Sequence, residues 1–231
     1  MNYFVYKNKK IRFIQASCVE GKKIDLRQAN VVEKYKPNMI FFELPPIRNN
    51  PSLIFNNYLV NKKPKQKIDE RKTTLKKISK KFPYAISDLR VWENIEKMWG
   101  EGNNVFLFNI DAPQKLRFHH FKLYGKLTYN QVKNKWWFWV FLFLREYEMK
   151  KNIEVILNKL KKKENPVIAI FLQSIHWNHV KFLLEEKSNE KVWNYYFKRF
   201  PEITRENITE KIKEKDKVFF RYWKKINPFG L

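Results

Sequence analysis

Residues 166–176, Pro-Val-Ile-Ala-Ile-Phe-Leu-Gln-Ser-Ile-His, decide how the rest of the chain is read. Val167 to Leu172 is a short unbroken apolar run after Pro166, the pattern of a strand covered on both faces rather than one alternating between core and water. Strands of that kind lie inside an α/β layer. The run gives way to Gln173 and Ser174, polar and turn-permissive, which puts His176 just past the carboxyl end of the strand. Open α/β sheets bind ligands at that edge.

Other stretches repeat the pattern of strand, polar end and helix. Tyr3 to Tyr6 and Ile11 to Gln15, around a turn at Asn8 to Lys10, read as a hairpin that ends in Gln15, Ala16, Ser17 and Cys18. Asp25 is placed to cap a helix carrying Leu26, Ala29, Val32 and Tyr35, and Pro37 stops it. Met39 to Phe42 is a second buried strand, closing a βαβ unit and delivering Glu43. A helix from Ser87 or Asp88 through Trp99 precedes a strand over Val105 to Ile110, which delivers Asp111. A helix is expected over about 114–124. Thr128 with Gln131 is a capping-box pair that predicts the start of a long helix running to about Lys162. Its opening, Trp136 to Trp139, is apolar all round and calls for burial. Ser188 is placed to cap one further helix, and Asn207 with Glu210 predicts a last one ending before Pro228.

The chain is therefore expected to be a single α/β domain over 1–231, with a mixed central sheet flanked by helices. A helical insertion falls at about 45–104 and a C-terminal helical extension at about 188–231. At 44% hydrophobic and 17% aromatic, the composition excludes a disordered chain despite its charge. Cys18 is the single cysteine, which excludes an intramolecular disulfide and a multi-cysteine zinc site. The amino terminus lacks the apolar core of a secretory leader, and the longest apolar run, Trp136 to Leu144, is too short to span a bilayer. No transmembrane segment and a cytoplasmic location are the expectation.

Lys and Arg outnumber Asp and Glu by 48 to 23, a formal charge of +25 that attracts nucleic acid, anionic lipid or acidic proteins. Lys72, Lys76, Lys77, Lys80 and Lys81 crowd a predicted helix with a thin apolar stripe at Leu75 and Ile78, and form a candidate polyanion-binding face. A solvated surface set by composition is the alternative.

The strand ends thus carry Cys18, Glu43, Asp111 and His176 in that order. Phe42-Glu43-Leu44, Asp111-Ala112-Pro113, Arg145 with Met149, and Gln173-Ser174-Ile175-His176 together resemble the TraB/PrgY family, relatives of GumN and the Tiki metalloproteases within the EreA/ChaN-like superfamily. The resemblance covers most of the chain. It implies a TraB/Tiki-like fold and a metal-dependent hydrolase acting on peptides. Glu43 and His176 would then hold or activate the catalytic water, with Cys18, Asp111 and Arg145 as neighbours. The sequence departs from the family pattern in three ways, one of them Ala112 where the family's Asp-Arg-Pro-like segment has arginine. Where the family has GxxH after the first strand, this chain has Gln15-Ala16-Ser17-Cys18, and the glycine of the second GxxH is Gln173.

Residue chemistry gives each of these positions more than one reading. Glu43 suits a metal ligand or general base, and equally a partner for Arg145 or a helix cap. The imidazole of His176 suits zinc, manganese or cobalt, or a structural bond to backbone. On a helix, His179 sits one turn beyond His176, so the two could share a metal. Cys18 is a soft ligand, a thiolate nucleophile or a small buried residue. Arg145 offers a fork of donors to a carboxylate. His119 and His120 are read as packing or surface groups. The other functional class is a non-catalytic scaffold whose basic, aromatic-rich surface binds nucleic acid or an acidic protein.

Overall fold

The computed structural model describes residues 3–6, 9–16, 26–43, 72–73, 76–77, 84–103, 105–124, 127–160, 166–226 and 228–230. By their contacts they group into two compact units, Met1–Ile110 with Val155–Asn178, and Asp111–Glu154 with His179–Leu231. The architecture is mixed α/β, a small central sheet with flanking helices. Among the described residues, no helix is long and apolar enough to cross a membrane.

The first unit is built on a five-stranded sheet. β1 (Tyr3–Tyr6) and β2 (Lys9–Gln15) form the expected antiparallel hairpin. β3 (Met39–Phe42), β4 (Phe106–Asn109) and β5 (Val167–Phe171) extend it in parallel, in the order β1-β2-β5-β3-β4. The apolar run at 167–171 thus takes the central position, paired with β2 on one side and β3 on the other. β2 and β3 are parallel, as expected of a βαβ unit, but β5 is inserted between them.

Central placement explains why β5 carries no polar alternation. Ala169 and Phe171 share a core with Ile40 and Leu107, covered by α1 (Arg27–Tyr35) and α2 (Tyr84–Gly100) through Ala29, Val32, Val91, Ile95 and Met98. Ile168 and Ile170, one residue out of phase, lie on the opposite face in register with Phe13 and Phe41. Phe41 meets Phe13 and Phe108 edge to face. Each such side chain contributes about 1.5–3 kcal/mol on full burial. α1 ends at Lys36, the one non-glycine residue with positive φ among those described, just before Pro37. Asn38 then ties the amino edge together, its Oδ1 accepting from Val167 N and its carbonyl from Phe106 N.

The second unit is helical: α3 (Gln114–Tyr124), α4 (Tyr129–Val132), most of α5 (Trp136–Asn158), the later part of α6 (Ser174–Glu185), α7 (Asn189–Phe197), α8 (Ile208–Lys215) and α9 (Lys217–Ile226). Its core holds Phe138 to Leu144 together with Tyr196, Phe197, Phe219 and Trp223, so the aromatic opening of the long helix is buried as expected. Ser188 caps α7 through Lys191 N.

Two helices predicted as continuous are broken. Gln131 Oε1 accepts from Thr128 N as the capping pair requires, but this starts only the short α4; a turn at Lys133 and Asn134 follows, and α5 begins at Trp136. The turn is held by the Trp139 indole, which donates to Lys133 O at 2.7 Å. The last helix is interrupted at Asp216, whose extended backbone ends α8 and whose Oδ1 accepts from Val218 N and Phe219 N to start α9. Asn207 Oδ1 accepts from Thr204 N instead of capping α8.

Candidate functional site

The carboxyl edge of the parallel strands is level. Ala16 N donates to Ile170 O, Glu43 N to Phe171 O and Ile110 N to Phe42 O, so the chain leaves neighbouring strands at one height. Glu43 follows β3 directly, and its Oε2 accepts from Gln173 N at 3.0 Å. α6 begins one residue later, and its first turn places His176 Nε2 3.9 Å from Glu43 Oε1. The histidine side chain is 6% exposed and the glutamate 19%. A carboxylate and an imidazole therefore meet at the carboxyl edge of the sheet, as their positions after parallel strands predict. Gln15 closes the β2 side, its amide donating to Leu172 O at 2.8 Å. Phe13 packs on Trp177 from beneath, at 5.2 Å between ring centroids.

The other expected residues have different fates. Cys18 lies outside the described residues, as do Lys80 and Lys81. Asp111, just beyond β4, belongs by its contacts to the second unit, where it is fully buried. Arg145 grips it with both arms of the guanidinium, Nε to Oδ1 and Nη2 to Oδ2, each at 2.8 Å. Arg117 Nε adds a contact to Oδ2 at 3.1 Å, and Ala112 N donates to Oδ1 at 2.7 Å. The fork of Arg145 thus serves Asp111. Lys76 and Lys77 are exposed, whereas Lys72 is half-buried with its ammonium on Glu96.

His179, one turn after His176, has a carboxylate of its own. Its Nδ1 lies 2.9 Å from both oxygens of Glu146, and Tyr196 donates its hydroxyl to Glu146 Oε2 at 2.8 Å. Glu146 and Tyr196 are fully buried. Burial, the adjacent Glu146 charge and the hydrogen bond to it push the Tyr196 hydroxyl well above its ordinary pKa, so it remains a proton donor. This cluster was not read from the sequence. Its signal in the sequence is faint, since Glu146 stands two positions beyond the apolar run Trp136 to Leu144, next to Arg145; its full burial is tolerable only with paired partners. Tyr196→Phe leaves one carboxylate oxygen a donor short and is expected to lower stability by about 1–3 kcal/mol, read as a shift in the urea unfolding midpoint. His119 is likewise engaged, 2.7 Å from Asp216, while His120 stacks on Phe141.

Among the described residues there is no group of three or more histidine, cysteine, aspartate or glutamate side chains placed to hold a metal ion. No family model, curated protein or solved structure matches the chain.

Proposed function

We propose that the protein is a divergent metal-dependent hydrolase of the TraB/PrgY type, acting on peptides, with Glu43 and His176 at its centre. The observation that supports this reading is the meeting of those side chains, 3.9 Å apart, at the carboxyl edge of adjacent parallel strands. The donors suit a divalent transition metal as two of its ligands. Glu43 and His176 would both hold one ion after closing slightly from their 3.9 Å separation. Cys18, at the position of the missing family histidine, is the further ligand this reading assigns, and a thiolate favours zinc over manganese. When bound, such an ion supplies Lewis acidity to the scissile carbonyl.

The protein's own groups do the rest. Glu43 Oε2 is fixed by Gln173 N, which orients the carboxylate toward His176 and sets it to take a proton from an attacking water. His176, held at the start of α6, would stay a neutral ligand, and the proton that Glu43 takes up would pass from its carboxyl to the leaving amine.

Elemental analysis of the purified protein, then zinc, manganese and cobalt titration of a stripped sample, tests the metal. Cleavage of a peptide library tests the chemistry. Glu43→Gln and His176→Ala are each expected to lower metal affinity at least tenfold and hydrolysis by about 10²–10⁴-fold. Cys18→His is expected to raise both. Wild type and Cys18→His that bind no metal and cleave no peptide would end the hydrolase reading.

A further inference from the structure

α9 has two chemically opposite faces. Phe219 and Trp223 point into the core of the second unit at 1% and 2% exposure, and the Trp223 indole is tethered to Thr209 of α8. Lys217, Arg221, Lys224 and Lys225 are all exposed. The first three recur at i, i+4 and i+7, which lines them along one side of the helix over roughly 10 Å. From Lys217 to Leu231 the sequence has no acidic residue. Asp216, immediately before, is committed to capping α9 and to His119. Among the described residues no carboxylate pairs with any of the four cations.

Helix stability accounts for two of these four cations. Lys224 and Lys225 lie in the last turn, where a cation complements the helix dipole. Lys217 opens the helix, where a cation opposes the dipole, and Arg221 sits mid-helix, where the dipole offers nothing. Lys224 also lies over the Phe220 ring at 5.6 Å, but among the described residues Lys217 and Arg221 make no ion pair that accounts for their alignment with it.

We infer that the outer face of α9 is a binding surface for the phosphodiester backbone of a nucleic acid, with Lys217, Arg221 and Lys224 each neutralising a phosphate. A repeating line of anions is the complement of a repeating line of cations free of carboxylates. A bilayer surface fits less well, because a helix that lies on a membrane inserts its apolar face, and here that face is buried in the protein's own core. α9 and the Glu43–His176 pair belong to different units.

Fluorescence anisotropy of the full chain with labelled duplex DNA and with labelled single-stranded RNA, over a salt series, tests the inference. The triple variant Lys217→Glu/Arg221→Glu/Lys224→Glu is compared with Lys97→Glu/Lys133→Glu/Lys159→Glu, which makes the same change in net charge at other exposed positions outside the lysine cluster at 72–81. Circular dichroism and thermal melting establish that both variants are folded. For the α9 variant the expected result is at least a tenfold loss of affinity at low salt. Its log–log salt slope should also be shallower by about 2.7 with duplex DNA or about 2.1 with single-stranded RNA. The tighter of the two wild-type complexes identifies which nucleic acid is the ligand. Three results would each overturn the inference: no wild-type binding at low salt, an equal loss in the control variant, or tighter binding to phosphatidylserine vesicles than to either nucleic acid.

Discussion

Asp111→Ala is expected to destabilise the protein by about 3–5 kcal/mol, because it leaves a buried guanidinium without its carboxylate. Arg145 is 12% exposed and directs two hydrogen bonds of 2.8 Å at Asp111, so water can replace the lost partner only in part. Arg117, at 35% exposure, can turn outward, and Arg117→Ala should cost only about 1 kcal/mol. For a chain of this length the Asp111→Ala loss corresponds to a fall in Tm of about 10 °C. The same cluster sets an acid limit. Burial alone would raise the Asp111 pKa, but the hydrogen bonds and charge of Arg145, the charge of Arg117 and the Ala112 N–H together lower it. A carboxyl depressed in the folded state contributes stability that is fully present above its unfolded pKa of about 3.9 and is lost as pH falls through the folded value. Urea unfolding below about pH 4 should therefore show a steeper loss of stability in wild type than in Asp111→Asn, which has no such proton to take up. Parallel acid profiles would remove Asp111 as the group responsible.

Phe143→Ala should be as damaging, at about 3–5 kcal/mol. Phe143 has no exposed surface and is the hub of the helical unit's aromatic core. Its ring stacks on Phe229 at 5.3 Å, meets Tyr196 edge-on at 4.9 Å and Phe197 at 5.8 Å, and tilts against Tyr147 at 5.6 Å and Trp223 at 6.0 Å. Truncation forfeits the transfer energy of the ring, the edge-to-face terms of about 0.5–1.5 kcal/mol per pair, and the contacts around the cavity. The terms overlap and do not sum. Phe143→Leu refills much of the volume and should recover more than half of the loss. Phe118, 62% exposed on α3, is the reference: Phe118→Ala should stay within about 0.5 kcal/mol of wild type.

What was legible in the sequence was what a single element settles by itself. The unbroken run at 167–171 had to be a strand covered on both faces, Met39–Phe42 likewise, and Ser188 had to cap. The meeting of Glu43 and His176 followed because both come directly after parallel strands, which share a carboxyl edge. Long-range choices were not legible. Nothing local says that β5 separates β2 from β3, or that Arg145 takes Asp111. The breaks at Lys133–Lys135 and Asp216 were hidden for a related reason. Each is held by a distant side chain or a competing cap, the Trp139 indole in one case and the Asp216 carboxylate in the other, while helix propensity continues through the sequence. Glu146, His179 and Tyr196 are far apart in the chain, and only folding makes them one hydrogen-bonded cluster.

The central strand is the last of the sheet to be made. While the chain grows from its amino end, the β1–β2 hairpin and the β3–β4 pair can form, but the edges of β2 and β3 that β5 will occupy stay open until Phe171 has been synthesised. Residues 110 to 171 separate the end of β4 from that moment, a delay of about 3–12 s at roughly 5–20 residues/s. During those seconds the nascent chain carries two half-sheets with apolar, unpaired edges, each a template for pairing with another molecule. Sheet closure is thus a late step of biosynthesis, and a ribosome stalled before Val167 would release a species inclined to aggregate rather than a smaller version of the fold.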